Sequence, residues 1–210
     1  MVGMAMLSAQ YTRGGLPAPP SDVRQEPAEL EKYDRNCYNG HVLGSDDFRR
    51  VMSHFATGVT IITAWDGEQR PTGLTASSFT SVSLNPPLIL VCVSQKAHSY
   101  PAIKAAGRFA VNILCTGQEG VSRRFATAPS ASGDEKFVGL AYHPGAVGLP
   151  ILDEALAALE CAVVDAHPAG DHTIFVGQVE AVDVREDAGR EPLLYFRGKY
   201  SRLHPHQPGG

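Results

Sequence analysis

Four short stretches carry side chains suited to a flat, anionic ligand with a polar edge. Gly73-Leu74-Thr75-Ala76-Ser77-Ser78-Phe79 combines small residues with three hydroxyls. Small residues let a ring approach the main chain, whose N–H and C=O groups can then pair with the ring's polar edge. Ser94, Lys96 and Ser99 follow an S-x-K-x-x-S spacing just ahead of a predicted helix. Two hydroxyls, one cation and the first N–H groups of that helix together suit a phosphate. Gly170-Asp171-His172-Thr173 places an imidazole beside a carboxylate at the mouth of a predicted strand, where the ring can donate one hydrogen bond. Tyr195-Phe196-Arg197-Gly198-Lys199-Tyr200 adds two phenols and two cations that could reach a second anionic ligand. Taken singly, each stretch also fits an ordinary strand end, a capped surface helix, a hydrogen-bonded turn or a solvated edge strand. There is no convincing Ser-His-Asp arrangement, so no catalytic side chain is expected. No metal-ligand spacing occurs: cysteines stand at 37, 92, 115 and 161, and none forms a C-x-x-C pair.

The elements that must position these stretches are mostly strands. A short helix is predicted from Ser45, with Phe48, Val51, Met52 and Phe55 on one face and Thr57-Gly58 closing it. Val59 to Trp65 is β-branched and apolar. Asp66-Gly67 signals a hairpin into a second strand over Thr72 to Ser78. After the Asn85-Pro86-Pro87 turn, six unbroken apolar residues from Leu88 to Val93 predict a strand buried on both faces. A helix opens at His98 or Ser99, with Pro101 in its first turn and Gly107 past its end. Further strands are predicted over Phe109 to Leu114, Leu159 to Val164, Thr173 to Val184 (bending at Gly177) and Leu193 to Phe196, with another short helix over Glu119 to Ala126. Residues 127–150, rich in Ala, Gly, Pro and Ser, read as the longest loop. A chain that is mainly β with short helices and lacks regular strand–helix alternation predicts an antiparallel barrel with peripheral helices and excludes a Rossmann fold.

Composition narrows the function classes. The chain has 210 residues, 43% of them hydrophobic and 19% charged, enough for a packed core. A net charge of −4 argues against nucleic-acid binding, which needs a basic face. No apolar run reaches the length of a membrane-spanning helix. The amino end lacks the basic residues of a signal peptide, and the cysteines read as buried free thiols, so a cytoplasmic location is expected. Residues 1–44, broken by Gly14-Gly15 and four prolines between 17 and 27, read as a flexible N-terminal extension, and 204–210 as a C-terminal tail.

The order of motifs is more specific than any one of them. FATGVTIIT (55–63), GLTASSFTSVSLNPPLILVCV (73–93), the S-x-K-x-x-S at 94–99, GRFAVNIL (107–114), GDHTIFVGQVEAV (170–182) and LLYFRGKYSRL (193–203) follow one another at fitting spacing. This succession resembles the flavin reductase-like family, the short-chain NAD(P)H:flavin oxidoreductases that serve as reductase components of two-component flavin-dependent monooxygenases. The resemblance spans residues 45–203. It implies an FMN-binding split β-barrel, assembled as a homodimer, that passes hydride from NADH, in preference to NADPH, to FAD or FMN. Reduced flavin would then diffuse to a partner monooxygenase. By match to the family's motifs, Thr75, Ala76, Ser77 and Ser78 would line the flavin ring. Val93, Ser94, Lys96, Ser99 and Tyr100 would follow the ribityl chain and phosphate, and Arg108, Phe109 and Ala110 would complete the pocket. His172, oriented by Asp171, would meet the nicotinamide side, with Tyr195 and Tyr200 as further NAD contacts. Two other readings stay open: an electron carrier holding FMN tightly without oxidising NADH itself, and a single-component flavoenzyme reducing another small molecule.

Overall fold

The computed structural model describes residues 37–38, 41–42, 44–127, 133–185 and 189–203. The chain divides into two compact units, residues 1–48 and 49–210. Most of the predicted extension and the whole predicted tail lie outside the described residues. Within the first unit, β1 (Cys37–Tyr38) pairs antiparallel with β2 (His41–Val42). Helix α1 (Ser45–Met52) carries Asp46 and Asp47 in its first turn and Arg49 and Arg50 in its last, complementing the helix dipole. The Phe48 N–H bonds to the Gly44 carbonyl, so Ser45 is the first helical residue and Gly44 stands at the cap position. Val51, Met52 and Phe55 of its predicted apolar face are exposed.

The second unit is built on one seven-stranded antiparallel sheet. Its strands are β4 (Thr60–Trp65), β5 (Pro71–Ala76), β6 (Phe79–Leu84), β7 (Pro87–Ser94), β8 (Arg108–Ile113), β11 (Ala157–Ala169) and β12 (His172–Val184), in the spatial order β5-β4-β8-β11-β12-β7-β6. The strands at the two ends of that order, β5 and β6, are consecutive in sequence and separated only by Ser77-Ser78. In a flat sheet, six spacings of about 4.8 Å would hold these edges roughly 29 Å apart. Three Cα steps reach only about 11 Å. The sheet must therefore curl until its edges meet. β5 pairs only with β4 and β6 only with β7, so the edges meet without a ladder, and the barrel is split along this seam.

Inside the curl lie Ile62, Val91, Val93, Ile103, Phe109, Val111, Cys161 and Phe175, all fully or almost fully buried. Burial pushes the Cys161 thiol up to a pKa of about 12. Gly177, where a bend was expected, faces this core. A Cβ there would lie 2.8 Å from Phe109 Cζ, so only glycine lets β12 pass so close. Opposite it, the register of β11 shifts between Val163 and Asp165, and the unpaired Val164 forms a bulge. Asn112 is fully buried on β8 and fully engaged. Its amide donates to the Ile61 carbonyl (3.1 Å) and Thr63 Oγ1 (3.0 Å), and its oxygen accepts the Leu152 N–H (2.8 Å).

Helices and small sheets cover the outside. α2 (Tyr100–Ala106) has Pro101 in its first turn and ends on Gly107 in the left-handed conformation, as its sequence predicts. α3 spans Glu119–Ala126. β13 (Leu194–Phe196) pairs with β14 (Lys199–Ser201) and with β3 (Thr57–Gly58).

Several expectations change. Thr57-Gly58 is a short strand and not a helix end, because β13 supplies a partner for it. The predicted strand over Thr72 to Ser78 breaks after Ala76, and Phe79–Leu84 is a separate strand. β7 is not buried on both faces: Ile89, Val91 and Val93 face the core, while Leu88, Leu90 and Cys92 are only half-buried. Nothing among the described residues covers the second face completely. Residues 133–150 are not simple loop. They hold a 3-10 turn (Asp134–Phe137) with buried Lys136 and Phe137, and β9 (Tyr142–Pro144) paired with β10 (Pro150–Leu152).

Candidate functional site

The seam gathers three of the four chemical stretches. Ser77 and Ser78 form the corner from β5 to β6, and both are exposed. Ser78 is tied to β7: its Oγ donates to the Cys92 carbonyl (3.0 Å) and accepts the Cys92 N–H (3.1 Å). Two residues on, Ser94 lies directly opposite His172 in the β7–β12 ladder. The Gln95 N–H bonds to the Asp171 carbonyl (3.0 Å), and the Gln95 side chain donates to the His172 carbonyl (3.1 Å). The phosphate-type segment and the Gly-Asp-His turn are thus held together by main chain.

Within this group the side chains have distinct tasks. Ser94 Oγ accepts the Lys96 N–H at 3.3 Å, shaping the turn that leaves the Lys96 ammonium exposed. Ser99 is 1% exposed, and its hydroxyl has no hydrogen-bond partner among the described residues. An unsatisfied buried hydroxyl costs stability, and Thr72 Oγ1 is the other such atom among the described residues. Tyr100 bonds through its hydroxyl to Thr173 Oγ1 (3.1 Å) and packs on Phe175, bracing the start of β12. His172 is half-buried, with Nδ1 2.7 Å from Asp171 Oδ1. That hydrogen bond, with the nearby charges of His172 and Lys96, holds the Asp171 carboxyl below the usual carboxylate range. With Nδ1 engaged, Nε2 is the ring nitrogen left for a ligand.

Other predicted contacts fall elsewhere. Val93 and Phe109 are enclosed in the barrel, and Ala110 is buried on the other face of β8 against Leu149, Ile151 and Ala158, so their side chains do not face the seam. Arg108 is paired with Glu180. Thr75 points its hydroxyl at α3, donating to the Ser122 carbonyl (2.7 Å), and Ala76 is buried. Tyr200 reaches the same residue, donating to Ser122 Oγ (2.9 Å), while Tyr195 packs edge-on against Tyr200. Ser122 therefore joins the C-terminal hairpin to the strand that enters the seam.

Sequence reasoning missed Ser122 and Lys136. Lys136 is 6% exposed, and its ammonium donates to the carbonyls of Phe125 (3.1 Å) and Gly73 (3.5 Å). It clamps the end of α3 to the first residue of the Gly73–Phe79 stretch. A lone lysine beside a phenylalanine in a loop-like segment was the sole signal for it.

With this geometry in view, comparison with known proteins is decisive. Residues 52–204 match the model of the flavin reductase like domain. The chain belongs to the flavin reductase-like family. It is 38% identical over 158 residues to the reductase subunit HsaB of a flavin-dependent monooxygenase from Mycobacterium tuberculosis, covering 75% of this chain and 82% of that one. Among solved structures, nitrilotriacetate monooxygenase component B from Mycobacterium thermoresistibile superposes with a TM-score of 0.72 at 40% identity, covering 79% of this chain and 89% of that chain. The NADH:FAD oxidoreductase of Streptomyces globisporus, solved with NAD and FAD fragments, gives 0.69 at 39% identity, covering 77% and 93%. The fold is the split barrel of these flavin reductases.

Burial of the Lys136 ammonium lowers its pKa below the usual lysine value of 10.5. Just below that value the folded chain binds fewer protons than the unfolded one, so folding is favoured as pH rises. Relative to Lys136→Met, the wild type should gain stability between pH 8 and pH 10, measured by urea denaturation. A difference that moves the opposite way would mean the ammonium is favoured where it is.

Proposed function

We propose that the chain is an NADH-dependent flavin reductase that transfers hydride from NADH to FAD or FMN and releases reduced flavin to a partner monooxygenase. The observation that carries this reading is the seam, where the corner at Ser77-Ser78, the Ser94–Ser99 segment and the Asp171-His172 turn are bonded into one group. The orphaned Ser99 hydroxyl and the exposed Lys96 ammonium fit a flavin phosphate or pyrophosphate. Main-chain groups around 75–79 fit the polar edge of the ring, where negative charge grows on reduction. The bound flavin and nicotinamide supply the redox chemistry themselves. The chain binds and aligns them: Thr75, Ala76, Ser77 and Ser78 shape the ring wall, and Ser94, Lys96 and Ser99 hold the phosphate end. His172, whose Nδ1–H is given to the Asp171 carboxylate, presents Nε2 on the nicotinamide side, where the neutral ring accepts a hydrogen bond such as that of the carboxamide NH2; Tyr195 and Tyr200 are proposed as further NAD contacts. Val93, Phe109 and Ala110 act through backbone and packing, and Tyr100 acts by bracing β12.

Steady-state NADH oxidation tests the reading. Added FMN or FAD should stimulate turnover, and His172→Ala should raise the KM for NADH about tenfold while leaving flavin affinity nearly unchanged. Turnover indifferent to added flavin, in a protein that stays yellow through long dialysis, would instead establish the tightly bound electron carrier.

Lys96→Ala should weaken FMN binding by about tenfold or more, the scale of one charge-assisted contact, and riboflavin binding much less. Equal losses for the two would place Lys96 away from the phosphate.

We further propose a homodimer. Leu88 and Leu90 on the half-covered face of β7 lie opposite Ser83 and Thr80 of β6, and the same strand pair adds Val82, in the β6 bulge, and Leu84, at its end, which are 50% and 75% exposed. Apolar surface of this kind beside a site is what a two-fold partner covers. β8 lies within the sheet, buried over Phe109–Asn112, and offers no such surface. Sedimentation should give twice the chain mass at micromolar concentration, and a fully active monomer would refute the assembly.

A further inference from the structure

Away from the seam, a cavity of about 450 Å³ opens beside the turn between β8 and α3. Val121, Leu140 and Leu152 line it with apolar surface, and Gln118, Glu154 and Arg190 supply its polar groups. Gln118 is 9% exposed, and its orientation is fixed. The Cys115 N–H donates to Gln118 Oε1 at 2.8 Å, and the Cys115 thiol points at the same oxygen from 3.4 Å. A backbone N–H can only donate, so the carboxamide cannot be flipped. Its Nε2 has no hydrogen-bond partner among the described residues. Nor is it one of the two enclosed side-chain atoms left unpaired, Thr72 Oγ1 and Ser99 Oγ. The amide NH2 of a nine-tenths-buried side chain therefore faces the cavity with both hydrogens to give.

The charge beside it is already balanced. Arg190 donates to the Glu154 carboxylate (2.7 Å) and to the Glu154 carbonyl (3.1 Å). An ion entering the cavity would have to compete with that pair. A neutral molecule would not, and its apolar part would bury against Val121, Leu140 and Leu152.

We propose that this cavity binds a small uncharged molecule with an apolar body and one hydrogen-bond acceptor, received by Gln118 Nε2. The site is separate from the seam. It lies on the same helix, since the Gln118 carbonyl accepts the Ser122 N–H (3.0 Å) one turn before Ser122 meets Thr75.

Acetophenone, a ring with one carbonyl, is the probe, titrated into the full chain by calorimetry with ligand-observed NMR. It should bind saturably at one site per chain and remain bound when excess FMN is added. Ethylbenzene, of similar shape without the acceptor, should bind at least tenfold more weakly. Gln118→Glu keeps an oxygen for the Cys115 N–H and removes the donor, so it should weaken acetophenone at least tenfold and abolish the preference over ethylbenzene. Val121→Phe, which fills the cavity without touching the amide, should abolish binding of both and serves as the independent variant should the first not fold. Absence of saturable binding to the wild-type chain, equal binding of ketone and hydrocarbon, displacement by FMN, or full affinity retained in Val121→Phe would each overturn the proposal.

Discussion

The two-residue corner at Ser77-Ser78 is the constraint from which the rest of the molecule follows. It ties together the two strands that the pairing order holds farthest apart, so the sheet has no choice but to curl. Curling creates an inside, which Phe109, Phe175 and the β-branched residues of β4, β7 and β8 fill. It also creates a line where two edges meet without bonding to each other. Unpaired edges normally invite aggregation. Here the edge is short and the corner is fastened to β7 through Ser78 and Cys92. The corner itself, Ser77-Ser78, stays exposed at that line.

Around that line the supports come from opposite directions. On one side, the β7–β12 ladder and the Gln95 contacts fix Asp171-His172 beside Ser94. On the other, Ser122 and Lys136 hold β5 from outside the barrel, one through the Thr75 hydroxyl and the other through the Gly73 carbonyl. Alignment of two cofactors needs sub-ångström steadiness, and side chains that are themselves locked provide it. Helix α3 links these supports to the C-terminal hairpin through Tyr200.

Local features were legible in the sequence. Pro101 and Gly107 bracket α2, and Asp66-Gly67 opens the β4–β5 hairpin, because each signal acts on its own backbone. The order of six weak motifs also carried the family and the split barrel. The corner itself was invisible: Ser77-Ser78 contains neither Gly nor Pro, and β-type residues run through it on both sides. Non-local tasks were equally hidden. Nothing about Thr75 announces that its hydroxyl belongs to a helix more than forty positions away. Nothing about Lys136, in a segment poor in apolar periodicity, announces burial. The side chains of Phe109 and Ala110 are buried in packing, which their place in the GRFAVNIL motif does not announce.

The burial of Cys161 has a chemical corollary. A thiol with a pKa of about 12 is almost wholly protonated at neutral pH. Peroxide attacks the thiolate, so such a group resists climbing the ladder from sulfenic to sulfonic acid. Reduced flavin yields peroxide when oxygen intercepts it before a monooxygenase does. A protein that releases reduced flavin therefore works beside its own oxidant, and a cysteine placed against Gly177 and Phe109 at the centre of the barrel is one that leakage from the site leaves intact.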